Sequence, residues 1–285
     1  MTTEPATVTM LRREARIALT DPAQAATDGD ILLAHVLGRD RAWLRAHDED
    51  EVVPDRAAAF REALRRRARG EPIAYLTGAR EFYSLPISVS PDVLIPRADT
   101  ERLVELALDR LPPGRPCRVA DLGTGSGAIA LAIAQQRPRA EVMATDASIA
   151  ALAVARGNAE RLGLDARIRF RLGDWYEALA GEPRFDVIVS NPPYIAQGDE
   201  HLRQGDLRFE PREALASGID GLAAMRVIVA HANRHLGVLG WLLVEHGYDQ
   251  GTAVRRLMAD AGLVVVETHT DFAGNDRVTL ARRPP

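Results

Sequence analysis

The sequence predicts an α/β protein: a mostly parallel sheet covered by helices and closed at one edge by an antiparallel pair, behind a smaller helical domain. Three observations carry this. From Arg115 onward, short apolar runs alternate with helical patterns, as repeated βα units do. The last two runs are separated by the turn-rich Asp271-Phe272-Ala273-Gly274-Asn275-Asp276 and not by a helix, so they should pair antiparallel at the sheet edge. Residues 1–80 carry apolar positions at helical spacing, and 285 residues at about 150 per domain leave room for two domains.

In chain order, Ile31, Leu32, His35 and Val36 mark one helical face and Ala58, Phe60 and Leu64 another. Asp28 and Asp30 are candidate N-caps for the first, and Pro54 suits the opening turn of the second. Gly70-Glu71-Pro72 breaks the pattern. Phe82–Val89 alternates as a hairpin or edge strand does, and residues 81–97 are expected to link the domains. A helix from about Thr100 to Leu111 stops at Pro112-Pro113-Gly114. Strands are then expected at Cys117–Leu122, Glu141–Thr145, Ile168–Leu172, Phe185–Ser190, Gly240–Val244, Leu263–Thr268 and Arg277–Ala281. The helices between them fall at Ala128–Gln135, Ile149–Leu162, near Leu222–Leu236 and near Thr252–Ala261.

Composition narrows the function. With 46% hydrophobic and 27% charged residues the chain has an ordinary globular make-up. No run approaches the roughly 18 apolar residues of a membrane span. Met1–Arg13 lacks a secretory pattern, and Cys117, alone of its kind, excludes a disulfide framework and a multi-cysteine metal site. A cytoplasmic protein without a membrane partner is expected. All 36 cationic side chains are arginine, which excludes lysine Schiff-base chemistry and a Walker-type phosphate lysine. Residues 1–80 hold 13 Arg against 13 acidic residues, and residues 81–285 hold 23 against 27. Neither part has the basic excess of a protein that grips nucleic acid through phosphates.

The first βα turn reads Asp121-Leu122-Gly123-Thr124-Gly125-Ser126-Gly127-Ala128. Glycines there allow a tight turn and close approach of backbone to a ligand. Asp146, 23 residues beyond Gly123 and at the end of the second strand, can accept from two ribose hydroxyls. An adenosyl nucleotide and an adenosyl sulfonium fit equally well at this point. Asp174 and Trp175, after the third strand, are placed to flank an adenine.

The fourth strand ends in Asn191-Pro192-Pro193-Tyr194. Two prolines hold the chain extended and donate nothing, so their carbonyls and the Asn191 amide oxygen form a rigid set of acceptors suited to a planar NH₂ group. Tyr194 offers a face on which a planar group can stack.

The glycine loop, Asp146 and Asn191–Tyr194 together resemble class I S-adenosylmethionine-dependent methyltransferases that modify exocyclic or amide nitrogens. Gly70–Gly78, Leu94–Glu101 and Gln204–Pro211, with Asn275–Thr279, narrow the resemblance to the release factor glutamine methyltransferase (PrmC/HemK) family over nearly the whole chain. Ser126 and Ala98 stand where that family would be expected to carry threonine and proline.

The resemblance implies a Rossmann-like seven-stranded sheet in residues 98–285 and a helical domain in residues 1–80 that docks the substrate. It implies methyl transfer from S-adenosylmethionine, leaving S-adenosylhomocysteine, to the side-chain amide N5 of the glutamine in the Gly-Gly-Gln motif of class 1 peptide chain release factors. Carried over by position, Gly123, Thr124, Gly125, Ser126, Gly127, Asp146, Asp174, Trp175 and Asn191 would contact the cofactor. Asn191, Pro192, Pro193 and Tyr194 would hold the glutamine, with Asn191, Pro192 and Tyr194 catalytic. No metal and no nucleic-acid substrate is expected.

Three other readings share parts of the pattern. A nucleic-acid amine methyltransferase shares the tetrapeptide but lacks a base-recognition domain here. A dinucleotide oxidoreductase shares the glycine loop and leaves Asn191–Tyr194 unexplained. A non-catalytic adenosine-binding module would bind without transfer. Outside this set, His231 and His235 sit four apart on a helix without a third metal ligand. Arg61, Arg65, Arg66, Arg67 and Arg69 form a basic cluster, and residues 195–221 are long enough to cover the site or touch substrate.

Overall fold

The computed structural model describes residues 5–285, and the targeting-signal reading of residues 1–4 lies outside them. The chain forms two compact units, one running to Ala79 and the other from Arg80 to Pro285.

The first unit is built from α1 (Val8–Ala18), α2 (Pro22–Leu37), α3 (Arg41–Ala46), α4 (Pro54–Ala68) and α5 (Ile73–Thr77). Val8, Leu11, Ala15, Leu32, Leu33, Leu44, Phe60 and Leu64 meet in one core. Each large side chain buried there contributes about 1.5–3 kcal/mol. Pro54 opens α4 at its first turn, as expected. The capping of α2 differs from expectation. Asp21 is its N-cap and accepts from the backbone N–H of Ala23 at 2.9 Å and of Gln24 at 3.4 Å. Asp28 and Asp30 lie inside the helix, paired with Arg67 at 2.7 Å and Arg12 at 2.7 Å. A longer helix moves the free N–H groups a full turn and more upstream, so these carboxylates serve helix–helix ion pairs instead. The arginine cluster on α4 is likewise taken up within the unit: Arg61 binds Glu14, Arg65 binds Glu62, Arg66 binds Glu71 and Arg67 binds Asp28.

The second unit starts with the hairpin β1 (Ala79–Phe82) and β2 (Leu85–Ser88), then α6 (Thr100–Arg110). Strands and helices alternate after it: β3 (Cys117–Leu122), α7 (Ala128–Gln136), β4 (Ala140–Asp146), α8 (Ile149–Arg161), β5 (Ile168–Leu172), β6 (Phe185–Ser190) and α9 (Ala223–His235). The unit closes with β7 (Leu236–Glu245), α10 (Gly251–Asp260), β8 (Val264–Thr270) and β9 (Asp276–Arg282). The sheet has seven strands in the order β5-β4-β3-β6-β7-β9-β8. The first five pair parallel, and β9 runs antiparallel to both β7 and β8. The expected fold class is therefore borne out, with β9 as the reversed strand, paired antiparallel with β8 at the edge. β7 begins earlier than the apolar run suggests, because Leu236 pairs with Phe185 across an irregularity before the regular register resumes at Trp241.

Strand order sets the position of the site. The chain leaves β3 toward β4 and β5, then returns to the other side of β3 as β6. The crevice at such a reversal, outside the carboxyl ends of the strands, is where open α/β sheets bind ligands. Register pairs Leu122 with Ser190 and with Thr145, so the turn after β3 and the segment after β6 emerge side by side. The Ser190 hydroxyl donates to the Leu122 carbonyl at 2.7 Å and locks the two strand ends together.

Candidate active site

The crevice holds a cavity of about 370 Å³. It is lined by residues of the turn after β3, the ends of β4 and β5, the start of the segment after β6, and two segments from elsewhere: Asp92–Arg97 and Pro211–Ala214. That size is within the range of small-molecule and cofactor sites.

The turn after β3 is held from two sides. Thr124 donates its hydroxyl to Asp121 at 2.7 Å and its backbone N–H to the Thr145 carbonyl at 2.8 Å. Burial pushes the Asp121 carboxyl up to about 7. Asp146 accepts from Gly125 N–H through Oδ2 and from Ser148 N–H through Oδ1, both at 2.9 Å. Each carboxylate oxygen still has a lone pair for the cavity. Gly125 has φ +55°, and a Cβ on it would project into open space. The backbone at this point is therefore bare for a ligand to approach.

Trp175 has two roles. It packs against a hydrophobic core cluster of the unit and also lines the cavity, with its ring 3.3 Å from where a Cβ on Gly123 would stand. Asp174 is exposed beside it on the same wall.

Asn191, Pro192 and Pro193 line the opposite wall. The Asn191 amide nitrogen donates to the Thr100 hydroxyl oxygen at 3.1 Å, which leaves its amide oxygen as a free acceptor. Thr100, at the start of α6, also lines the cavity. No local pattern in the sequence marks it, because its partner is 91 residues away.

Tyr194 is placed differently from the stacking face expected of it. It does not line the cavity: its hydroxyl donates to Glu245 at the end of β7 at 3.3 Å, and its carbonyl accepts from Gln250 Nε2 at 2.9 Å. The chain turns toward β7 after Pro193, so the ring leaves the cavity wall. Gly221 packs on this turn with φ +74°, and a Cβ there would stand 2.3 Å from the Tyr194 carbonyl oxygen. Gly221→Ala is expected to destabilise by about 1–2 kcal/mol for the left-handed backbone and by a further ~1–3 kcal/mol for the clash. Calorimetry checks this as a lowered melting temperature, and an unchanged value would refute it.

Residues 195–221 fold into three short 3-10 turns tied back by a bridge between Ile195 and Ala216. Glu210 fastens this segment to the other wall segment. Its buried carboxylate accepts from the Ile95 N–H at 3.0 Å and pairs with Arg97. That contact brings Pro211, Glu213 and Ala214 to the cavity beside Pro96 and Arg97.

Elsewhere, His231 and His235 pack against Tyr176, the latter ring stacked at 4.5 Å. Among the described residues no group of three metal-ligating side chains occurs and no helix is long and apolar enough to cross a membrane. Cys117 is buried at the start of β3.

Comparison with known proteins adds three findings. Residues 10–78 match the PrmC N-terminal domain, and residues 100–218 match the methyltransferase small domain. A release factor glutamine methyltransferase of Xylella fastidiosa is 56% identical over 257 residues, covering 90% of this chain and 93% of that protein. The protein of the same description from Escherichia coli is 48% identical over 270 residues, covering 95% and 96%. A solved methyltransferase from Pyrococcus furiosus, 19% identical, shares the fold with a TM-score of 0.52 over 70% of this chain and 90% of its own.

Proposed function

The chain belongs to the release factor glutamine methyltransferase family, and from that premise we propose how its cavity performs the reaction. The protein methylates a release factor glutamine. The target on this reading is the side-chain amide nitrogen in the Gly-Gly-Gln motif of class 1 release factors, and the methyl donor is S-adenosylmethionine. The observation that carries the reading is the meeting, in one cavity, of a carboxylate-anchored glycine turn and a proline-held set of acceptors.

The residues present suit such a donor. Asp146 offers lone pairs to ribose hydroxyls, the bare backbone at Gly125 admits close approach, and the Trp175 ring and Asp174 suit an adenine. Thr124, Ser126, Gly123 and Gly127 shape the same turn. When bound, S-adenosylmethionine supplies a methyl group already activated by positive sulfur.

The protein's own task is to present a poor nucleophile, since an amide lone pair is delocalised into its carbonyl. The Asn191 oxygen and the Pro192 carbonyl accept the two N–H bonds of the glutamine amide. They orient the nitrogen and stabilise the positive charge that develops on it, and one of the two N–H protons is then lost to solvent so that the product amide is neutral. Holding the reacting atoms at about 3–3.5 Å supplies much of the remaining acceleration. Tyr194 serves from behind the wall rather than as a stacking face. The helical unit docks the release factor. The pairing of its α4 arginines with acidic side chains supports a protein substrate over a nucleic acid.

The test is methyl transfer from labelled S-adenosylmethionine to purified release factor, beside a Gln→Ala version of its Gly-Gly-Gln motif and a nucleic-acid control. Label on the native factor alone is expected. Label on nucleic acid, or on the Gln→Ala factor, would overturn the substrate assignment.

A further inference from the structure

We infer that Gln250, in the turn after β7, is a positioning residue that pins the exit of the Asn191–Tyr194 segment and so holds the Pro192 carbonyl in place. The inference rests on the reading of that segment as the acceptor of the glutamine amide.

A segment with two prolines is hard to hold. Pro192 and Pro193 have no N–H to tie to a neighbour, and the Pro192 carbonyl must stay free for the substrate. The segment is therefore fixed at its ends. At the near end the Ser190 hydroxyl donates to the Leu122 carbonyl at 2.7 Å, and the Asn191 amide nitrogen to Thr100 at 3.1 Å. At the far end Gln250 Nε2 donates to the Tyr194 carbonyl at 2.9 Å, while Oε1 accepts from the Gly247 N–H at 2.9 Å. Both partners are backbone groups with fixed roles, so the Gln250 amide cannot turn over without setting donor against donor. A carboxylate in its place would supply no donor at all. Gly221 closes over this bridge, where a Cβ would stand 2.3 Å from the Tyr194 oxygen and 2.8 Å from Gln250 Nε2.

The turn that carries Gln250 has its own buried support. The Gly247 carbonyl accepts from the Gln250 N–H at 3.0 Å and from His246 Nδ1 at 2.8 Å. A carbonyl only accepts, so the His246 proton sits on Nδ1. Burial lowers the proton affinity of the ring, which suits the neutral form. Nε2 then accepts from the Thr279 hydroxyl at 2.8 Å. Arg255 Nη1 donates to Thr268 at 2.8 Å, and the Thr268 hydroxyl passes its own proton to Thr279 at 2.8 Å. Every donor and acceptor in this chain has one consistent role, and His246 and Thr279 are fully buried. Neither His246, Gly247, Gln250 nor Thr279 lines the cavity. Their influence on turnover must pass through the Asn191–Tyr194 segment.

The experiment uses the full-length protein with release factor as substrate. Gln250→Glu keeps the acceptor for Gly247 and loses the donor for Tyr194, whereas Gln250→Met loses both at similar length. In each, kcat should fall about 10-fold, less than the ~10²-fold that a 1 Å misplacement can cost. KM for the release factor and affinity for S-adenosylhomocysteine should stay within about threefold, since the lost contact acts on the developing charge.

Tyr194–Ile195 is the one Tyr–Ile pair in the sequence. Carbonyl-¹³C tyrosine with ¹⁵N isoleucine therefore isolates a single resonance from that peptide, read without turnover. It should shift in both variants. Thr279→Val, which removes the support from the far side, should shift it in the same direction and lower kcat by about threefold, with little added effect in the Gln250→Met background. If Gln250→Met fails to fold, Gln250→Glu decides through kcat and the carbonyl resonance. Unchanged kcat, an equal loss of cofactor affinity, or full additivity with Thr279→Val would overturn the inference, while wild-type transfer to release factor leaves the functional reading intact. A wild-type protein without transfer to release factor would overturn both.

Discussion

Asn191→Ala is expected to lower kcat by about 10²–10³-fold, the cost of removing one preorganised group aimed at developing charge. Affinity for S-adenosylhomocysteine should change by only about threefold or less. The asymmetry follows from where the charge moves. As the amide nitrogen of glutamine gains a methyl it gains positive charge, so its N–H groups become stronger donors than in the bound substrate. An acceptor at Asn191 therefore interacts more strongly with the transition state than with the ground state, and only such differential binding appears in kcat. The cofactor side of the cavity, with Asp146 and the turn after β3, is anchored by its own hydrogen bonds and not through Asn191. Steady-state kinetics with labelled donor, beside equilibrium binding, separates the two effects. Turnover within threefold of wild type would remove Asn191 from the mechanism.

The parts of this molecule that sequence reading reached are those whose cause is local. β3 and β6 stand out with their observed bounds because strands covered on both faces are near-continuous apolar runs between turns, while β5, at the sheet edge, shows as the alternation Ile168-Arg169-Phe170-Arg171-Leu172. Asp146 and Asn191 stand out because a polar residue that ends an apolar strand is placed at the ligand end of the sheet. What escaped has its cause elsewhere in the chain. Asp28 and Asp30 carry the same side chain as a helix cap, and what makes them ion-pair partners is Arg67, 39 residues away, and Arg12, 18 residues away. Thr100 and Glu245 belong to the site only through contacts across 91 and 51 residues. Tyr194 departs from its expected place for a related reason. Two prolines predict an extended exit from the strand, but the turn that follows is set by Gln250, Gly221 and Glu245, which approach from other elements.

Asp146→Ala should have the opposite signature to Asn191→Ala: cofactor affinity falls about 10²-fold, while kcat at saturating donor stays within a few fold. Two losses combine. The carboxylate's own bonds to ribose hydroxyls are charge-assisted, worth about 1.5–3 kcal/mol together with their geometry. Its removal also frees the Gly125 and Ser148 N–H groups, each now held at 2.9 Å, so the turn must be ordered at the expense of binding. Neither loss touches the acceptors at Asn191 and Pro192, which is why the chemical step is spared once donor is bound. Asp146→Asn refines the point. It keeps one acceptor oxygen and turns an NH₂ toward a backbone donor, so its effect should fall between, near 10-fold. Isothermal titration with S-adenosylhomocysteine and kinetics at saturating S-adenosylmethionine measure the two quantities separately. A large fall in kcat with affinity preserved would place Asp146 on the reacting atoms instead of the nucleoside. Because Asn191 and Asp146 are held by different partners across the cavity, the double variant should show nearly additive free energies. Strong coupling between them would mean that the two walls move as one.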